Sequence, residues 1–284
     1  MSYILFLQHG WADTCRDISH LSRSLADPQT ITYAPDLGLL NTWLTITPLI
    51  TKVEKIAAAA IATSDLPWRI VGHSMGGLIW LEILDRHPEW LPKVHSLVLV
   101  GSPVGGSDLS RLFDPWGWFP LIARDLATNR RPIAEAIASQ VPTLSIVGDL
   151  GNSTDGTVPV GCSQFAHANF VSLNNLRHVA LKNHPQVASA IQQFWQNPQI
   201  AAISTDTASI LITKLRSLDL TEIDNLNFKH AQIYKTYADG TKLWTWKNLW
   251  QVTHVYVSAG QQCIYSAYAS WQEQQKLAIA LANC

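Results

Sequence analysis

Residues 68 to 80 read Trp-Arg-Ile-Val-Gly-His-Ser-Met-Gly-Gly-Leu-Ile-Trp, and the chemistry of the chain starts there. Gly72-His73-Ser74-Met75-Gly76 fits the pattern G-x-S-x-G between a short apolar strand and an amphipathic helix. A serine thrust out at such a corner sits in a strained backbone, and a side chain two residues away on either side would collide with the turn. The N–H of Met75 then points from a helix N-terminus toward the place where a tetrahedral oxyanion would form. A serine hydroxyl is a poor nucleophile near neutral pH. It needs a base within hydrogen-bond reach, and that base needs a third group to orient it.

Val71-Gly72-His73-Ser74-Met75-Gly76-Gly77 resembles the nucleophile elbow of α/β-hydrolase-fold esterases and lipases, and the resemblance extends over about residues 1 to 198. It implies the chain order nucleophile, acid, histidine. Downstream of Ser74 the acid candidates are Asp149 and Asp155. Asp155-Gly156-Thr157-Val158-Pro159 resembles the family's D-x-x-V-P segment, whereas Asp149 lies nearer a strand end and suits a structural turn contact. The base candidates are His178 and His184. His178-Val179-Ala180-Leu181, with a helix beginning at Pro185, resembles the terminal histidine segment, in which the histidine sits on a loop. His184 directly precedes that proline and suits an N-terminal turn. The resemblance thus favours Ser74, Asp155 and His178 as the triad, with Asp149 and His184 as alternatives.

Two further stretches extend the resemblance. Gln8-His9-Gly10-Trp11 is similar to the family's H-G oxyanion segment, which implies donors on the N–H groups of Trp11 and Met75, with His9 as a structural hydrogen-bonder. The Trp11 ring is either a substrate wall or loop packing. Gly101-Ser102-Pro103-Val104-Gly105-Gly106-Ser107 resembles a G-[ST]-P-x-x-G-S stretch of lipase-like members and points toward esters. The insert at about 108–140 lies where the family carries a lid. Its Trp116, Trp118 and Phe119 suit either an apolar, substrate-binding cover or a loop packed on the sheet.

These residues need a frame that brings them together. Uninterrupted apolar runs at 3–7, 68–72, 94–100 and 142–147, with shorter ones at 30–34 and 170–173, read as strands buried on both faces. Helical patterns at 18–25, 45–64, 75–87 and 185–195 alternate with them. Strand–helix alternation predicts an α/β fold with a mostly parallel sheet and helices on both faces. Sites in such sheets lie at the carboxyl ends of the strands, where every candidate above falls. Beyond Pro198 the pattern changes. Residues 199–284 predict a small C-terminal α+β subdomain: a helix near Ile210–Leu218, a three-strand meander within 231–257, and a helix over Ile264–Leu281.

Composition narrows the function classes. The chain has 284 residues, 47% hydrophobic and 14% charged, with net charge −1, so neither nucleic acid nor an anionic membrane surface is an expected partner. No apolar run is long enough to span a bilayer. The chain passes from Met1 straight into a strand without a signal-peptide pattern, and its four cysteines show no zinc-like spacing. A cytoplasmic enzyme with reduced thiols is the expectation. No G-x-G-x-x-G follows a strand and neither a Walker A nor an H-E-x-x-H sequence occurs, so no cofactor or metal is expected. The leading expectation is a serine hydrolase of small-molecule or lipid acyl esters. The same machinery also serves thioester and amide cleavage and acyl transfer. A different class of reading is a non-catalytic scaffold whose Trp-rich extension binds a protein partner or a second copy of itself.

Overall fold

The computed structural model describes residues 2–106 and 122–282. Trp116, Trp118 and Phe119, the residues of the expected aromatic cover, lie outside the described residues. The chain divides into two compact units, one of residues 1–150 with 155–202, the other of residues 151–154 with 203–284.

The first unit begins with β1 (Ile4–Gln8), α1 (Ser19–Leu25), β2 (Ile31–Tyr33), α2 (Ile46–Thr63), β3 (Trp68–His73), α3 (Met75–Arg86) and β4 (Val94–Val100). It continues with α4 (Ile122–Ala127), α5 (Arg131–Ala138), β5 (Thr143–Asp149), β6 (Ala168–Asn174), α6 (His178–Leu181) and α7 (Pro185–Gln196). The strands form one parallel sheet in the order β2-β1-β3-β4-β5-β6. Strand residues alternate between two cores. Ile4 and Phe6 face the layer of α2 and α3, while Leu5 and Leu7 face that of α1 and α7. Two tryptophans, Trp68 and Trp80, are fully buried in the first layer, each with its ring 4.9 Å from Phe6.

The strand order carries the functional consequence. The chain leaves β1 on one side to form β2 and returns on the other side as β3, so the winding reverses between β1 and β3. Connections diverge at such a point and leave a crevice at the strands' carboxyl ends. Gln8 at the end of β1 lies in register with Gly72 in β3, so the loop after β1 and the serine corner after β3 are neighbours by construction.

The second unit contains α8 (Thr207–Arg216), β7 (Thr221–Glu222), β8 (Gln232–Thr236), β9 (Thr241–Lys247), β10 (Thr253–Ala259), β11 (Gln262–Tyr268) and α9 (Gln274–Ala282). Its antiparallel sheet runs β7-β11-β10-β9-β8. Leu243, Val255, Val257, Tyr265 and Ala267 form a core with Leu211 and Leu215 of α8 and Leu277 and Leu281 of α9. Here the expected helix over 264–281 is corrected: residues 262–268 are a strand, the helix starts only at Gln274, and the sheet has five strands rather than three. Tyr268 and Trp271 mimic helical spacing, but Cys263, Tyr265 and Ala267 are buried at every second position, which is the period of a strand. No helix among the described residues is long and apolar enough to cross a membrane.

Candidate active site

Ser74 stands between β3 and α3 with φ 54° and ψ −124°, and its N–H donates to Val100 O at 2.8 Å, tying the corner to β4. A left-handed φ is costly for a residue with a Cβ and persists only where its surroundings hold it. The flanking glycines show what holds it. A Cβ on Gly72 would lie 2.5 Å from Gly77 Cα, and one on Gly76 would lie 2.3 Å from Gln8 O. Both glycines are therefore set by close packing of the corner against α3 and β1. Met75 is the first residue of α3, where an N–H has no intrahelical acceptor.

The carboxylate arrives from the loop after β5. Asp155 has a fully buried side chain, and its Oδ1 accepts the N–H groups of Thr157 at 2.9 Å and Val158 at 2.7 Å. Its Oδ2 accepts from His178 Nδ1 at 2.7 Å, and its backbone carbonyl accepts from His178 N at 2.9 Å. Two separate bonds thus fix the histidine to this aspartate. His178 Nε2 lies 3.1 Å from Ser74 Oγ. With Nδ1–H donating to the carboxylate, Nε2 keeps its lone pair and accepts the serine O–H. Gly101, at φ +59°, leaves room for the ring, since a Cβ there would lie 3.1 Å from His178 Cε1.

The two alternative residues stand elsewhere. Asp149 is the last residue of β5, and it is Asp155 that bonds the imidazole. His184 caps α7, its Nδ1 accepting from Gln186 N at 3.3 Å. His178 is the first residue of the one-turn α6 rather than part of a loop.

The loop after β1 closes the other side of the serine. Gly10 comes so near that a Cβ on it would lie 2.8 Å from Ser74 Cβ and 3.3 Å from Ser74 Oγ, which places the following residue, Trp11, at the rim of the same corner. The Trp11 ring packs at 4.5 Å from Trp43. His9 is buried, with Nε2 accepting from Leu37 N at 3.0 Å and Nδ1 3.1 Å from Gly10 O. Burial pushes its pKa down, so it is a neutral structural group.

Asp13 and Lys182 lie outside every motif of the sequence, and His73 fills an unspecified position of the serine corner. Asp13 pairs with Lys182 Nζ through Oδ1, and its Oδ2 lies 3.5 Å from His73 Nδ1. Burial alone would raise the Asp13 carboxyl, but the bond from Lys182 and the nearby His73 ring overcome it and hold it at about 2. His73 is buried beside the nucleophile, its ring 5.1 Å from that of His178, and burial pushes its pKa down. Its Nε2 is 3.3 Å from His178 O.

No protein-family model matches the sequence, and neither does any curated protein. Solved structures do match in fold. The mature form of lipase BlEst2 from Bacillus licheniformis superposes with a TM-score of 0.56 at 14% identity, over 70% of this chain and 92% of that one. Est1E from Butyrivibrio proteoclasticus, with ferulic acid bound, gives 0.51 at 16% identity, over 69% of this chain and 89% of that one. The fold is that of the α/β-hydrolases, with an additional antiparallel unit at the C-terminal end.

Proposed function

We propose that the protein is a serine hydrolase of carboxylic esters, similar in mechanism to carboxylesterases and lipases. Ser74 Oγ attacks the acyl carbonyl while its proton passes to His178 Nε2. Asp155 holds the imidazole in the Nδ1–H tautomer and stabilises the imidazolium. The N–H groups of Trp11 and Met75 hold the oxyanion of the tetrahedral intermediate. As that intermediate collapses, the ester C–O bond breaks and the leaving alkoxide takes the proton from Nε2. Water then attacks the acyl-Ser74 ester, loses a proton to Nε2, and releases the carboxylic acid with Ser74 restored. The substrate class is a small-molecule or lipid acyl ester. The neighbours named a lipase and an Est1E with bound ferulic acid agree with that class, and their likeness to this chain is one of fold.

One observation carries the reading: an unbroken relay from Ser74 Oγ through His178 to Asp155, with links of 3.1 Å and 2.7 Å, at the carboxyl ends of three different strand connections. The test is hydrolysis of p-nitrophenyl esters of graded chain length by the wild type and by Ser74→Ala. Turnover by the wild type, its loss in the variant, and loss of covalent labelling by a fluorophosphonate are the expected results. Undiminished turnover by a folded Ser74→Ala protein would overturn the assignment.

A further inference from the structure

Resting on the ester-hydrolase reading above, we infer that Asp13 and Lys182 are positioning residues, whose ion pair locks the oxyanion loop to the turn of helix that carries the catalytic histidine. The two residues are 169 positions apart in the chain, and each stands next to a different part of the proposed machinery. Asp13 follows Trp11 by two residues in the loop after β1. Lys182 is the residue immediately after α6, whose first residue is His178. One helical turn therefore separates the lysine from the histidine, so a force on Nζ is carried along hydrogen-bonded backbone to the imidazole.

The loop that Asp13 anchors is tied both to itself and to its surroundings. Ala12 is in the left-handed region at φ 55°, where a non-glycine residue stays only if its neighbours hold it there. On one side, Ala12 N–H donates to the buried Thr42 Oγ1 at 3.1 Å. On the other side, Asp13 is the anchor. Beyond it, Asp17 Oδ2 accepts from both Thr14 N and Thr14 Oγ1 at 2.7 Å, and Asp17 Oδ1 lies 3.6 Å from Lys182 Nζ. The lysine thus faces two carboxylates on the loop and draws it toward α6.

The pair is well shielded, with side chains only 12% and 15% exposed, so the charges are not replaced by water when one is removed. Asp13 also reaches the serine corner, since its other oxygen faces His73, the residue before Ser74. The buried His73 ring, neutral because burial lowers its pKa, has one proton and two acceptors within 3.5 Å: the Asp13 carboxylate and the His178 carbonyl. One carboxylate therefore meets all three parts of the site: the oxyanion loop, the nucleophile corner and the histidine turn. An arrangement that served only to hold the fold would have no need to converge on those three.

The experiment compares Asp13→Asn, Lys182→Met, the double variant and the conservative Lys182→Arg, all assayed at a temperature well below their melting points. The expected result is a fall in kcat of about tenfold or more for either single variant, with KM changed less than twofold. A trifluoromethyl ketone, which adds Ser74 to form an oxyanion, should bind more weakly in the same ratio as kcat falls. The double variant should lose no more than the worse single one, because both remove the same lock, and Lys182→Arg should recover most of the rate. Should Asp13→Asn fail to fold, Lys182→Met and Lys182→Arg carry the same comparison. Melting points that fall while kcat and ketone affinity stay at wild-type values would overturn the inference and leave the ester-hydrolase reading intact. A wild type that turns over no ester and takes no fluorophosphonate on Ser74 would overturn both.

Discussion

Two polar regions of this molecule are buried to the same degree and differ in what their polar atoms touch. At the strand ends of the first unit, the Asp155 carboxylate accepts three hydrogen bonds, His178 uses both ring nitrogens, and Asp13 meets Lys182. On the sheet of the second unit, Trp246 lies opposite His254, and Trp244 opposite Tyr256, across the β9–β10 ladder. His254 is 8% exposed and Tyr256 fully buried, yet neither ring nitrogen of His254 nor the Tyr256 hydroxyl has a hydrogen-bond partner among the described residues. Their contacts are between rings: His254 with Trp246 at 4.8 Å, Tyr256 with Phe228 at 5.5 Å. Burial raises the Tyr256 pKa and lowers that of His254, keeping both neutral. A polar group buried without a partner costs stability, whereas one held by several partners is fixed in orientation. In the first region the Ser74–His178–Asp155 set and the Asp13–Lys182 pair aim their polar atoms, while His73 Nδ1, Trp11 Nε1 and Gln8 Oε1 beside them are buried with no hydrogen-bond partner among the described residues. The second uses the same residue types as hydrophobic surface.

On that contrast, removing one polar atom has opposite consequences in the two places, and the largest effect belongs to Asp155. Asp155→Asn keeps the shape of the side chain but removes the charge that, in the proposed mechanism, stabilises the imidazolium and selects the tautomer. A fall in kcat of roughly a thousand- to ten-thousand-fold is expected, from the behaviour of such triads in general. Steady-state kinetics on the same p-nitrophenyl ester measure it, alongside circular dichroism to verify folding. A folded Asp155→Asn protein within tenfold of the wild-type rate would break the contrast at its strongest point.

The ends of this comparison were unequally legible in the sequence. Ser74 and its glycines are readable because a single tight corner dictates a local pattern, and the corner's packing against Gln8 O and Gly77 Cα explains that pattern. Parallel strands, buried on both faces, announce themselves as unbroken apolar runs, so the sheet follows from Tyr3–Leu7 and Val94–Val100. Asp155 and His178 are separated from their rivals only by resemblance. Geometry supplies the reason, since the Asp155 carbonyl also binds the His178 N–H. Asp13 and Lys182 leave no local trace, because a long-range ion pair has no spacing to read. In the second unit, Tyr268 at the end of a strand and Trp271 in the turn after it stand at an interval that also fits a helix, and Cys263, Tyr265 and Ala267 decide the matter only once their burial is known.

A smaller effect belongs to the acid limb of stability. Asp13 has a native pKa of about 2, against an ordinary value of 3.8. The folded state therefore takes up this proton less readily than the unfolded chain. The stabilisation is complete above about pH 4 and is lost as pH falls toward 2. After solvent screening it amounts to on the order of 1–2 kcal/mol. Thermal melts of the wild type and Asp13→Asn should accordingly differ most at pH 5 and converge as the pH is lowered through 3. Parallel curves over that range would mean that the carboxylate is not held as described.

The smallest effect is the one that discriminates best, because it reverses sign between two tyrosines. Tyr3 is 6% exposed, and its hydroxyl donates to Leu25 O at 2.9 Å, joining the residue before β1 to the end of α1. Tyr256 is more deeply buried and its hydroxyl has no partner among the described residues. Both become phenylalanine with the loss of one oxygen and almost no change of shape, so cavity and packing costs cancel. Tyr3→Phe leaves the Leu25 carbonyl without its donor and should destabilise by about 1 kcal/mol. Tyr256→Phe deletes a buried, unsatisfied hydroxyl and should be neutral or stabilising by up to about 1 kcal/mol. Urea unfolding, following fluorescence and far-ultraviolet dichroism together, resolves differences of this size if the two units unfold as one transition; otherwise each variant is read on its own unit's transition. A loss of 1 kcal/mol or more in Tyr256→Phe would show that the Tyr256 hydroxyl is held as firmly as that of Tyr3.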